Sequence, residues 1–206
     1  MLAVTLVSRT PRPAALTAVA AVVTLLVSAC GGSASHGSQS GSTGSAGSNA
    51  IVWPRPDNTA AAIKAAGLPA LPAEALSVHY HAHLDVIIDG QPVIVAQYIG
   101  IDLKNGRISP LHTHDTSGII HIESPEPTTY TLGQFFTQWA VRLTAQCINP
   151  YCVGPTRQNI ATVNGQTFNG DPSTIPFSPH QQITLWSGPP GPPPSLPGSY
   201  NFPPGL

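Results

Sequence analysis

Charge is what this sequence has least of. Only 8% of its 206 residues are Asp, Glu, Lys or Arg, against roughly 25% in ordinary soluble domains. Its 8 Lys and Arg are scattered and opposed by 9 acids, for a net charge of −1. That excludes the clustered cationic surface on which nucleic-acid and polyanion binding depend. Sulfur is equally scarce, with 3 Cys and one Met at position 1, so the body of the chain has no thioether ligand for a soft metal site. No apolar run reaches the ~20 residues of a membrane-spanning helix; the longest nearly apolar stretch runs from Ala14 to Val27. Gly (19), Pro (23) and His are plentiful, and the 8 His equal Lys and Arg together. An apolar content of 41% is still enough for one buried core.

The first thirty residues read as an export signal. Arg9 and Arg12 precede the apolar stretch, which ends in Val27-Ser28-Ala29-Cys30 followed by Gly31 and Gly32. This pattern resembles the lipobox of bacterial lipoproteins. The resemblance implies that residues 1–29 are removed and that Cys30 becomes a lipidated N-terminus. The membrane would then be the partner, with the chain on the extracytoplasmic side of the cell membrane. Acyl burial at ~0.8 kcal/mol per CH₂ makes two or three chains a stable anchor. Residues 31–50 hold 6 Gly and 7 Ser and read as a flexible tether. Cys147 and Cys152, separated by Ile148-Asn149-Pro150-Tyr151, suit a small disulfide loop in an oxidising compartment; a pair of metal-bound thiolates is the alternative.

Residues 51–206 read as a single domain. A helical lead-in over 51–76 contains a short Ala-rich helix near 58–66, capped by Asn58 or Thr59 and stopped by Gly67. From Val78 to Ile88, apolar and polar residues alternate, as in a strand with one buried face. Asp89-Gly90 then turns the chain into a second strand over 91–99, and a third covers Ile119 to Glu123. Thr131 and Gln134 form a capping box ahead of the apolar stripe Leu132, Phe135, Phe136, Trp139 and Val141. Asn164-Gly165 marks a hairpin, and Gln182 to Trp186 a last strand. The tail from Gly188 has 8 Pro in 19 residues, so it lies extended on the domain or hangs free. The expected class is mainly β (α+β), a small antiparallel β-sandwich or barrel-like domain with one or two short helices.

Six of the eight histidines fall between positions 79 and 121. On a strand, residues i and i+2 share a face about 6.6 Å apart, so the two rings of an H-x-H can chelate one ion. His79, His81 and His83 form one such run and His112 with His114 another, while His121 follows after a Gly118 bend. Pairing of the strand at 119–123 with that at 78–88 would set His121 against the triplet. His79 and His83, about 13 Å apart along a strand, cannot share one ion. The expected site therefore takes two of the triplet, His81 and His83, with His112, His114 and His121; a second site through His79 is an alternative. Asp85, Asp115 and Glu123 are placed as ligands or as acceptors that fix an imidazole tautomer. His36 and His180 read as surface residues. An imidazole and carboxylate set without sulfur suits copper as Cu²⁺, or zinc.

The run from His79, the segment Pro110 to Glu123, Thr131 to Phe136 and the closing Tyr200 to Leu206 together resemble a group of exported prokaryotic His-rich proteins. That resemblance implies that the tail belongs to the domain and implies no activity. Three readings follow from the residues: a surface-anchored protein that captures or buffers copper or zinc; a metalloenzyme with a His-ligated redox or hydrolytic centre, Asp115 or Glu123 acting as base; and a structural envelope lipoprotein without metal.

Overall fold

The computed structural model describes residues 50–206; the segments read as an export signal and a tether, with Cys30 and His36, lie outside the described residues. Twelve strands and two helices follow in chain order. These are β1 (Ile51–Val52), α1 (Thr59–Ala65), β2 (Val78–Ile88), β3 (Gln91–Ile94), β4 (Ile101–Asp102), β5 (Arg107–Ile108), β6 (Leu111–His112) and β7 (Ile119–Ser124). They continue with α2 (Leu132–Trp139), β8 (Cys147–Ile148), β9 (Tyr151–Cys152), β10 (Gln158–Val163), β11 (Gln166–Thr167) and β12 (Gln181–Gly188).

β2 is the centre of the main sheet. It pairs with β12 in parallel from Ala82 to Ile88, while its other edge is shared by β7 along its first half and β3 along its end, both antiparallel. β10 and β11 extend the sheet beyond β12, β1 adds to β3, and β6 adds to β7. The class is mainly β with two helices, as the sequence predicts, but the sheet is mixed rather than wholly antiparallel and does not close into a barrel. The physical reason is chain length. Between β2 and β12 lie β7, α2 and the β10–β11 hairpin, ample for a crossover that returns the chain in the same direction. Every residue of β12 is buried, as expected of a strand paired on both edges and covered on both faces.

Local chemistry fixes the turns. Asp89 and Gly90 both adopt positive φ (50° and 80°), as do Asn164 and Gly165 (50° and 77°), the geometry of two-residue hairpins. The strand expected over 91–99 ends early, at Ile94. Its continuation is diverted to Thr113: Tyr98 N donates to the Thr113 carbonyl (2.9 Å) and Ile99 N to the Thr113 hydroxyl (3.1 Å). The backbone between His112 and His114 is thereby pinned from a neighbouring loop.

α1 is capped by Asn58, whose Oδ1 accepts from Ala61 N at 2.9 Å. α2 has the expected capping box of Thr131 and Gln134. Its Leu132, Phe135, Phe136 and Trp139 are fully buried, each contributing about 1.5–3 kcal/mol of burial. α2 also reaches the site: buried Gln138 donates from Nε2 to the Leu111 carbonyl at 2.7 Å, next to His112. Cys147 and Cys152 are joined in a disulfide. The Pro-rich tail lies on the domain rather than hanging free. Thr184 Oγ1 donates to the Pro197 carbonyl (3.1 Å), Tyr200 stacks on His83, and Phe202 stacks on exposed His180.

Candidate metal centre

Strand register assembles the site. His79 sits opposite Glu123 and His81 opposite His121 on β2 and β7, and His121 sits opposite His112 on β7 and β6. Directly paired residues bring their Cβ atoms to about 4.5–5.5 Å. One row across three strands therefore carries His81, His121 and His112, and the next row carries His79 and Glu123.

The ring nitrogens converge. His79 Nε2 lies 3.2 Å from His81 Nε2, which lies 3.1 Å from His121 Nδ1. His121 Nδ1 lies 3.2 Å from Glu123 Oε1, and that oxygen is 3.4 Å from His79 Nε2. Four donor atoms thus close a circuit. The point equidistant from four atoms so spaced is about 2.0 Å from each in a tetrahedron and about 2.3 Å in a square, close to the ~2.0–2.2 Å of zinc–nitrogen and zinc–oxygen bonds. The group is close enough to hold a metal ion.

Hydrogen bonding alone accounts for half of this circuit. A ring nitrogen carries either a proton or a lone pair, and an ionised carboxylate only accepts. Each imidazole then serves at most one edge as donor, and no placement of protons satisfies more than two of the four. The other two edges are left without a hydrogen bond, a deficit that a cation at the centre would remove.

Electrostatics point the same way. Glu123 is 3% exposed; its ion-pair partners among the described residues are His79, His112 and His121 alone, and its Oε2 is buried without a hydrogen bond. Burial pushes the carboxyl up, but the His121 hydrogen bond, first among the opposing interactions, keeps it below the usual value, and so ionised. A buried anion of this kind calls for a cationic partner. The buried histidines do not supply that charge. Burial, reinforced by His121 and His79, lowers His81 to about 4. Burial lowers fully enclosed His112 to about 3 against the opposing pull of Glu123. Both are neutral near pH 7, with lone pairs available for a metal. In His112 the lone pair is aimed, because Nδ1 donates to the Ser109 carbonyl at 3.0 Å and leaves Nε2 free.

A second group abuts the first. His112 Nε2 lies 3.2 Å from His114 Nε2, which lies 3.4 Å from Glu74 Oε1. Donor atoms of His112, His114 and His121 form one close set, and those of Glu74, His112 and Glu123 another. Glu74 has no periodic or motif signal in the sequence. It arrives because Leu71 pairs with Ile108 in both directions (2.8 and 3.0 Å), which lays residues 72–76 against the segment leading to His112.

Three of the expected site residues lie elsewhere. His83 faces Ile119 one row beyond His81 and joins none of the close donor sets. Its Nδ1 meets Gln182 Oε1 at 2.8 Å and its Nε2 the Ser117 carbonyl at 2.9 Å, while the Tyr200 ring stacks on it at 3.6 Å. Gly118 is required here: it has φ +88°, and a Cβ would come within 2.9 Å of His83 Nε2. Asp85 accepts from Gln182 Nε2 (2.9 Å) and lies 3.7 Å from His83, so it belongs with that residue. Asp115 accepts from Ser117 N (2.8 Å) and shapes the turn after His114. Glu123, expected as a ligand or a tautomer-fixing acceptor, lies among the converging donors.

No family model matches the chain, and no similar curated protein or solved structure is found.

Proposed function

We propose that this is an extracytoplasmic metal-binding protein, anchored to the cell membrane through lipidated Cys30, that captures or buffers copper or zinc at the cell surface. His79, His81, His121 and Glu123 hold the ion. The observation that carries the reading is the closed circuit of three ring nitrogens and one carboxylate oxygen with edges of 3.1–3.4 Å. The absence of thiolate and thioether donors favours Zn²⁺ or Cu²⁺ over Cu⁺. The Val27-Ser28-Ala29-Cys30 sequence with its Gly/Ser tether supports the anchor, and the lipid would keep the site close to the membrane surface. Loading the purified protein with Zn²⁺ or Cu²⁺, desalting and measuring metal content tests the binding. Fractionation of cells carrying Cys30→Ser tests the anchor: the variant is expected in the soluble extracytoplasmic fraction, and its retention in the membrane would refute lipidation at Cys30.

A further inference from the structure

We propose that the centre takes two divalent cations, with an outer ion held by His112, His114 and Glu74 and joined to the inner ion through the carboxylate of Glu123. This rests on the metal-binding reading above and extends it from one ion to a carboxylate-bridged pair.

A single ion cannot use all the donors. Two ligand atoms on one ion at ~2.1 Å are at most about 4.2 Å apart, and neither Glu74 nor His114 shares a close donor set with His79 or His81. The outer donors nevertheless approach one another pairwise: His114 shares a close donor set with His112, and Glu74 shares another with His112. His112 Nε2 and His114 Nε2 are 3.2 Å apart, the same separation as the edges of the inner circuit, and Glu74 Oε1 is 3.4 Å from His114 Nε2. A Glu123 oxygen lies within 4.8 Å of donor atoms of both His112 and Glu74. Glu123 has the spare capacity to bridge: Oε1 closes the inner circuit, while Oε2 is buried and unpartnered.

Bridging by one carboxylate is the usual means of keeping two cations about 3.5–4 Å apart, because the shared negative charge offsets their repulsion. The two positions differ in access. Of the four inner ligands only His79 is substantially exposed (40%), whereas two of the three outer ones are, His114 at 42% and Glu74 at 46%, with His112 buried behind them. The outer ion therefore meets solvent, keeps room for water or an exogenous ligand, and exchanges first.

The test uses Cu²⁺ as probe, with metal content and electron paramagnetic resonance on wild type, Glu74→Gln and His114→Ala. Both substitutions are at exposed side chains, and circular dichroism checks that the variants fold. Wild type is expected to bind two equivalents and to give the broadened, half-field spectrum of a coupled pair. Each variant is expected to fall to one equivalent with the spectrum of an isolated Cu²⁺. Wild type saturating at one equivalent would overturn the outer site while leaving the inner one standing. Two equivalents retained in both variants would overturn the assignment of Glu74 and His114. No bound copper in any form would overturn the metal-binding reading itself.

Discussion

His81 Nε2 and His121 Nδ1 lie 3.1 Å apart at a directly opposed position of β2 and β7, and each of the two atoms also has a second donor atom of the circuit within 3.2 Å. Removing either ring opens the circuit. His81→Ala and His121→Ala are each expected to weaken the inner metal by about 100-fold or more, equivalent to ~2.7 kcal/mol. Gln166→Ala, at an exposed position of β11 three strands away from β2, is expected to change affinity by less than about twofold. Isothermal titration with Zn²⁺ separates these, and equal losses in all three variants would count against the assignment.

Glu123→Gln is expected to act chiefly on the metal-bound form. Without metal, the neutral amide gives up the interactions that hold the carboxyl ionised, led by the His121 hydrogen bond, so the apo-protein should be no more stable than wild type. With metal, the loss of a charged ligand should cut affinity by about 10–100-fold. Thermal unfolding with and without Zn²⁺ reads both. A variant destabilised without metal and unchanged in affinity would mean that Glu123 serves packing alone.

His83→Ala separates the two uses of the triplet on β2. Its ring is committed to Gln182, the Ser117 carbonyl and Tyr200, so the variant should lose about 1–3 kcal/mol of stability and keep full metal stoichiometry. Loss of metal at unchanged urea midpoint would place His83 in the centre instead.

Acid should destabilise the metal-free protein. In the unfolded chain His81 and His112 take up protons near pH 6.5, whereas the folded chain resists protonation down to about 4 and about 3, burial being the main cause. The unfolded state thus binds more protons across this window. The contribution is fully present above pH 6.5 and declines as the pH falls toward 4, at up to ~1.4 kcal/mol per unit for each residue. Urea unfolding at pH 7.5 and pH 5 is expected to show the drop, and bound metal should steepen it because protons compete for the same lone pairs. Stability that is flat or rising on acidification would contradict neutral burial of these rings.

What was legible in the sequence was local. Period-two histidines on β2, the paired positive-φ turns at Asp89-Gly90 and Asn164-Gly165, and the capping box of α2 depend on near neighbours, and all of them appear in the fold. The approach of His121 to the triplet, expected if the strand at 119–123 pairs with that at 78–88, is realised by antiparallel pairing of β2 with β7 across four intervening short strands, with His81 opposite His121. What was hidden depends on distant partners. The parallel pairing of β2 with β12 brings Gln182, from about 100 positions later, beside His83 and draws that ring away. Glu74 reaches His114 only through the Leu71–Ile108 bridge. Which of three nearby carboxylates enters the circuit was decided by register, since Glu123 alone shares a row with His79.

The most direct test of the four-ligand centre is metal content after loading and desalting, read with X-ray absorption at the metal edge. Three imidazole nitrogens and a carboxylate oxygen at ~2.0–2.2 Å, in at least one equivalent lost in the His81→Ala, His121→Ala double variant, is the expected result. Less than about a tenth of an equivalent in wild type, or full retention in the double variant, would contradict it.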